Sequence, residues 1–459
     1  VNDLPAGWRW LTPHEIAGED RSSLVIGPFG SNLKTSDYTT EGVPLVFVRD
    51  IRNSSFSHPR AFVSAAKAEE LSAHLVKPKD VLVTKMGDPP GDSVVYSGSG
   101  LAVITADCIR LRPAPDFHPS YIAYALQAPD ARRQVAGITA GVAQLKVSLA
   151  RFRGGVRIPV PPLPQQERIV EVLEEHLSRL DAGVAYLQTV LRRVATYEDA
   201  IIMRALGSTE TSTDGVQQIL NGNLPQLAPR WEWKQLADVA DVVGGVTKDT
   251  KKQTDPSYVE VPYLRVANVQ RARLDLDNIA VLRVPPAKAK TLLLQHGDVL
   301  MNEGGDRDKL ARGWVWEEQI EGCIHQNHVF RARPRPDMRS EWLAWCANTY
   351  GARWAQRHGK QSVNLASISL KVIKTMPIPV PPLSVQDERL AQIREMLERS
   401  RRLRSVVEGE LKRAERLRKS LLSAAFSGRL VGDSGSTNAE VMDPLTEELP
   451  SPVREGVLF

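Results

Sequence analysis

Apolar residues between positions 173 and 194 recur with a single rhythm. Leu173, Leu177, Leu180, Val184, Leu187, Leu191 and Val194 step alternately by four and three residues. That spacing lines one stripe of a helix and lets two helices interlock. The pattern therefore predicts a long helix carrying a coiled-coil seam. The same positions 220 residues further on hold Ile393, Leu397, Ser400, Arg404, Val407, Leu411 and Ala414. This is a weaker seam, which Leu403 and Leu417 are expected to broaden, and the two helices are expected to pair with each other. Ahead of each helix the pattern changes. Short apolar runs at 43–48, 80–84, 101–105, 261–266 and 298–301, punctuated by Gly, Pro and Asp, predict strands. Amphipathic stretches at 121–127 and 341–347 predict short helices. The expected fold class is α+β: two tandem mixed α/β domains, each followed by a long helix, the helices packing as an antiparallel coiled coil.

Sequence identity between the halves supports a duplication. Ile-Pro-Val-Pro-Pro-Leu occupies 158–163 and again 378–383, an offset of 220, and a Gln-rich helix start follows each copy (Gln165-Gln166, then Gln386-Asp387). Trp8-Arg-Trp10 returns as Trp231-Glu-Trp233 at an offset of 223, and Val43-Pro44 and Asp80-Val-Leu82 return at 218. The order is kept and the offsets drift little, so the chain repeats a unit far longer than any solenoid module. Prolines keep the Ile-Pro-Val-Pro-Pro-Leu string extended, and helix follows it. The predicted organisation is a first domain at 1–157, a helical arm at 158–208, a linker at 209–226, a second domain at 227–377, a second arm at 378–430 and a disordered acidic tail at 431–459.

Charge sharpens this picture. The tail after Val431 holds six acids against Arg454, a net of −5, so the +5 of the whole chain leaves +10 on residues 1–431. A basic body suits a polyanionic partner. The second arm, 388–420, carries eleven bases against six acids, a solvated face or one that meets DNA or a partner. No run of 18 apolar residues occurs, and a secretory pattern is lacking at the first residues, so no membrane association and a cytoplasmic location are expected. Cys108, Cys323 and Cys346 form no Cys-x-x-Cys pair and read as buried thiols.

Catalytic signatures are lacking. There is no phosphate-cradling Gly-x-x-x-x-Gly-Lys loop, and Ser97-Gly98-Ser99-Gly100 reads as a turn. Asp88-Pro89-Pro90-Gly91 approaches the Asp-Pro-Pro-aromatic motif of amino-group DNA methyltransferases. It ends in glycine, however, where that chemistry needs a ring to stack on a flipped base. His325-Gln-Asn-His328 is the densest histidine cluster, and it lacks the cysteines or carboxylates of a metal site. The chain reads as non-catalytic, binding neither metal nor cofactor.

With Leu4-Pro5-Ala6-Gly7-Trp8 and Leu227-Ala228-Pro229-Arg230-Trp231 opening the halves, Ile-Pro-Val-Pro-Pro-Leu closing each domain, and 417–430 as a terminal helix, the chain resembles the specificity subunit of type I restriction–modification systems over residues 1–430. The second opening departs from the Leu-Pro-x-Gly-Trp string of the first. The resemblance implies a DNA-binding subunit in defence by DNA methylation. Each domain would be a target-recognition domain reading half of a bipartite, asymmetric site in double-stranded DNA. The helices would set the unread spacer and dock two methyltransferase subunits. S-adenosylmethionine, ATP and Mg would sit on partner subunits, and restriction and translocase subunits would join the complex. The alternatives are a stand-alone DNA-acting enzyme with an unrecognised active site, and a coiled-coil adaptor without a nucleic-acid role.

Base reading needs forked donors and acceptors on exposed loops, and phosphate contact needs Lys, Arg or backbone amides. Ser31, Asn32 and Lys34 lie in a Gly-rich loop whose counterpart carries Thr247 and Lys248. Gln144 and Lys146, just before the first arm, match a second-copy stretch holding Asn364. Lys85 follows a predicted strand in the first copy, and Arg307, Lys309 and Arg312 follow one in the second, as phosphate contacts. Each of these loops also reads as a plain structural turn.

Overall fold

The structure, a computed structural model, describes residues 4–18, 20–141, 144–207, 224, 226–361 and 365–431. All of the predicted tail except Val431, and nearly all of the predicted linker, lie outside these residues. The chain divides into two compact units: the first combines 1–187 with 409–459, and the second is 188–408. The division falls inside two helices of 43 residues each, Leu163–Ala205 and Leu383–Ala425. At 1.5 Å per residue each is about 65 Å long. Every unit thus holds one α+β domain and a stretch of both helices. The helices run antiparallel. Asp181 pairs with Arg418 in the first unit and Glu198 with Arg404 in the second, so the register climbs one helix as it descends the other.

On the first helix Leu173, Leu177 and Val194 are buried and Leu180, Val184, Leu187 and Leu191 half-buried, while Arg179, Asp181, Tyr186 and Arg192 are exposed. On the second, Ile393, Ser400 and Val407 are buried and Leu397, Arg404, Leu411 and Ala414 half-buried. Arg404 holds a place in this line because Glu198 neutralises it at 3.0 Å. Leu403 does not broaden the seam. It lies about 100° around the helix from Arg404 and is 45% exposed. Leu417 does pack, against the core of the first unit.

The two domains repeat one sheet plan. In the first unit an antiparallel sheet runs Leu24–Ile26, Cys108–Leu111, Val81–Thr84, Ser93–Val95. The second unit has the same order in Ala240–Val243, Val329–Pro334, Val299–Asn302, Gly313–Val315. Beside each lies another sheet with a parallel pair: Val43–Val46 with Ala102–Ile104, and Val259–Leu264 with Ile324–His325. Val81–Thr84 and Val299–Asn302 are buried at every residue, which is why Val-Leu-Val-Thr and Val-Leu-Met-Asn show no alternation. The acid of each repeated Asp-Val-Leu marker is buried just ahead of the strand. Asp80 accepts a forked pair of bonds from Arg112 (2.7 and 2.8 Å), and Asp298 the same from Arg333 (2.7 and 2.9 Å).

Two predicted strands stop early for a shared reason. In 43–48 the strand ends at Val46 because the Asp50 carboxylate accepts from Phe47 N at 2.8 Å and opens the helix Val48–Arg52. In 261–266 the strand ends at Leu264, and Asn268 caps Arg265 N at 2.9 Å to open the 3-10 turn Val266–Asn268.

The repeated markers meet in space. Arg9–Leu11 pairs with Ile158–Val160, setting Trp10 opposite Pro159, and Glu232–Gln235 pairs with Pro377–Val380, setting Trp233 opposite Pro379. A proline offers no N–H but keeps its carbonyl. Tyr121 Oη donates to Pro159 O (2.7 Å), and Trp342 Nε1 to Pro379 O (2.9 Å). Just inside each long helix a glutamine ties it to its domain. Gln166 accepts from His118 N and donates to the Asp116 and Pro161 carbonyls; Gln386 accepts from Arg339 N and donates to those of Asp337 and Pro381. Both are buried.

The far end of each helix completes the core of the other domain. Ile202, Met203 and Leu206 join the core built around Trp342 and Tyr350, and Tyr350 Oη donates to Met203 O at 3.3 Å. Leu421, Leu422 and Phe426 join the core of the first unit, where Phe426 meets the Tyr121 ring edge-on at 5.1 Å. The openings also correspond. Gly7 adopts a φ of +80° in the turn before Trp8, and Arg230 is held at +69° before Trp231. The departure of the second opening from the first therefore sets a side chain where glycine is favoured.

Candidate nucleic-acid interface

In the first unit three loops meet beyond the end of the strand Val81–Thr84. Lys85 N donates to Asp107 O (2.8 Å), and Lys85 O accepts from Val147 N (3.0 Å). Met86 bridges Lys146, and Lys146 also pairs with Ala140 through bonds of 2.9 and 3.0 Å. The third loop is pinned at Gly27, where a Cβ would stand 2.0 Å from the Thr105 carbonyl oxygen. Beyond it Phe29 is 59% exposed, and Lys85 Nζ lies 4.7 Å over its ring. Ser31, Asn32, Lys34, Gln144 and Lys146 are all exposed; Lys85 is half-buried, and its ammonium also donates to Ala106 O (3.2 Å). The structure thus brings Lys85, Gln144 and Lys146 into one neighbourhood and sets the Ser31 loop beside them through Phe29.

The second unit builds the same cluster with different side chains. Gly245 is pinned as Gly27 is, its Cβ position 2.0 Å from the His325 carbonyl oxygen, and Thr247 and Lys248 stand exposed beyond it. Gly304–Gly305 pairs with Ala366–Ser367, which pairs with Lys360–Gln361. Asn364 lies outside the described residues. The backbone bonds of Lys85 are reproduced by Glu303, whose N donates to His328 O and whose O accepts from Ile368 N, both at 2.9 Å. The structural counterpart of Lys85 is therefore an acid, while Arg307, Lys309 and Arg312 follow the same strand, Val299–Asn302, as expected. Those three sit further along. Arg307 Nε donates to Gln356 O (2.9 Å), Lys309 pairs with Asp306, and Arg312 is half-buried with its Nε lacking a partner among the described residues. Burial lowers the Arg312 pKa. The signal for Glu303 was present in the chain: the Asp-Val-Leu offset of 218 carries position 85 onto position 303.

Glu303 is not alone. His328 Nδ1 lies 2.7 Å from its Oε2, and the His328 side chain is 54% exposed. His325 is wholly buried, its Nδ1 at 2.7 Å from Val329 O, and burial lowers its pKa from 6.5 to about 4. The Asp88–Gly91 segment is a turn: Thr84 Oγ1 accepts from Gly91 N and Asp92 N. The three cysteines are buried and free, and burial pushes Cys108 and Cys323 up to about 12, so both thiols stay protonated at neutral pH. Among the described residues no three His, Cys, Asp or Glu are grouped to hold a metal, and no helix is long and apolar enough to cross a membrane.

Together these features define a duplicated scaffold: one loop cluster, built twice on one sheet plan, with two sets of side chains. No protein-family model matches the chain. Among curated proteins it is 22% identical to the type I restriction enzyme StySPI specificity subunit of Salmonella potsdam over 452 residues, covering 96% of this chain and 92% of that one. It is also 22% identical to the EcoKI specificity subunit of Escherichia coli K12 over 454 residues, with the same coverage. Among solved structures, a chain from a type I restriction–modification assembly superposes with a TM-score of 0.67 at 16% identity, covering 94% of this chain and all of that one. The HsdS subunit of Thermoanaerobacter tengcongensis superposes at 0.50 and 17% identity, covering 93% and 98%. Over nearly its whole length the chain is thus similar to type I restriction enzyme specificity subunits, and it shares the fold of the solved members.

Proposed function

We propose that each domain of this chain reads one half of a bipartite, asymmetric DNA site, and that the paired helices set the unread gap and dock two methyltransferase subunits. The observation that carries this reading is the repeated loop cluster. Lys85 and Glu303 make the same two backbone bonds, so the loops are held in the same way while the exposed groups differ. A frame kept constant under variable side chains is what two readers of different sequences need. Ser31, Asn32, Lys34, Gln144, Lys146, Thr247 and Lys248 supply donors and acceptors at these loops. Arg307, Lys309 and Arg312 add positive charge, and Asn364 belongs to the same set by sequence position. S-adenosylmethionine, ATP and Mg belong to the partner subunits, and the work is done in the cytoplasm, with restriction and translocase subunits joining to cut unmodified DNA.

The test is methylome sequencing of the source cell with and without this gene, and with residues 1–157 exchanged for those of another specificity subunit. Deleting the gene should erase methylation at one bipartite motif. The exchange should alter one half of that motif and leave the other intact. A change in both halves together would show that the domains are not independent readers.

A further inference from the structure

Position 85 and position 303 hold the same backbone place with opposite charge. Their side chains can therefore recognise opposite halves of the hydrogen-bonding code in the major groove. An ammonium only donates, and an ionised carboxylate only accepts. Lys85 has one donor engaged by Ala106 O and its ammonium over Phe29, which leaves donors for a base edge. Glu303 has Oε2 held by His328 at 2.7 Å, and its side chain is 23% exposed. His328 thereby fixes the carboxylate in one orientation. The segment that follows carries Arg307, Lys309 and Arg312 with Asp306 and Asp308, and Lys309 is paired with Asp306, whereas Glu303 is held by His328.

We infer that Glu303, oriented by His328, is a specificity-determining residue that accepts a hydrogen bond from an exocyclic amine, cytosine N4 or adenine N6, in the second half-site. Lys85 does the converse in the first half-site, donating to a keto oxygen or N7, as on guanine. This inference rests on the reading of the two domains as DNA readers and names what each recognises. Guanine presents only acceptors on its major-groove edge, which a carboxylate rejects, and cytosine presents the N4 donors it accepts. His328 is a positioning residue here, because it acts through the carboxylate.

The side chain of Glu303 can be changed without touching its structural work, since both bonds that hold the loop come from its backbone. The test uses the full chain in complex with its methyltransferase partner, carrying Glu303→Gln, Glu303→Lys or Lys85→Met, with methylated motifs mapped by sequencing. Glu303→Gln should relax one position of the second half-site, losing about tenfold to a hundredfold in discrimination. Glu303→Lys should move the preference at that position to a pair that presents a keto oxygen on the contacted strand. Lys85→Met should relax one position of the first half-site only. Where methylation falls too low to map, duplex binding with each base pair of the half-site inverted in turn reads the same discrimination. Motifs unchanged in both Glu303 variants, or relaxed in the first half-site instead, would overturn the inference. Failure of the underlying reading looks different: the unaltered complex would then methylate no bipartite motif at all.

Discussion

Replacing Gln386 by leucine should destabilise the second unit by roughly 2–3 kcal/mol. The residue is wholly buried and satisfies three backbone groups: Arg339 N at 2.9 Å, Asp337 O at 3.1 Å and Pro381 O at 3.0 Å. Leucine is close in volume, so the cost is chiefly three unpaired polar groups. The bonds to Arg339 and Asp337 are only part-buried, and water can partly replace them, at about 1 kcal/mol each. The bond to Pro381 is buried, and its stranded carbonyl costs about 1–3 kcal/mol. Burying the more apolar side chain offsets about 1–2 kcal/mol of this. For a body of this size the net corresponds to a fall in Tm of roughly 5–10 °C. Thermal unfolding of the full chain, followed by calorimetry, measures it. Gln392→Ala on the exposed face of the same helix should change stability by no more than about 0.5 kcal/mol. A shift for Gln386→Leu no larger than that of Gln392→Ala would refute the idea that this glutamine fastens helix to domain.

Further outcomes follow from other features. Arg230→Gly should raise stability by roughly 0.5–1 kcal/mol, read as a higher Tm, because it removes a side chain from a left-handed position while adding some freedom to the unfolded chain. His325 is held neutral by burial, with a pKa near 4 against 6.5. The unfolded chain therefore takes up a proton that the folded chain refuses. Stability is complete above pH 6.5 and is lost as pH falls from 6.5 towards 4, by about 3 kcal/mol in all. His325→Gln should flatten that loss in unfolding measured across the same pH range. Under the proposed function, four residues added after Leu187 together with four after Glu408 insert about one turn, or roughly 6 Å, into each helix. With DNA advancing 3.4 Å per base pair, the unread gap in the methylated motif should lengthen by one or two base pairs. Two residues added at each place rotate the seam by about 200° and should abolish assembly. An unchanged gap in an active four-residue variant would show that the helices are not the ruler.

Much of this molecule is local, and local features can be read from the chain. The stripe Leu173–Val194 is periodic because a helix is periodic, and Ile-Pro-Val-Pro-Pro-Leu marks a strand end and helix start because proline restricts the backbone. The duplication and its drifting offsets even carried the correspondence of Lys85 with Glu303. The rest depends on residues far apart in the chain. That Trp10 lies across from Pro159, that Gln166 and Gln386 fasten helix to domain, and that Leu206 and Phe426 complete the core of the opposite domain all require the sheets and helices to be assembled. Leu403 looks like a seam residue by composition and is exposed by angle. Repetition and periodicity along the chain establish two copies of one plan and the helices that follow them. Which side chains face one another at each loop cluster, and so what each can recognise, was decided by packing: hydrogen bonds from Gly27, Lys85 and Glu303 to carbonyls distant in the chain leave no trace in periodicity or composition.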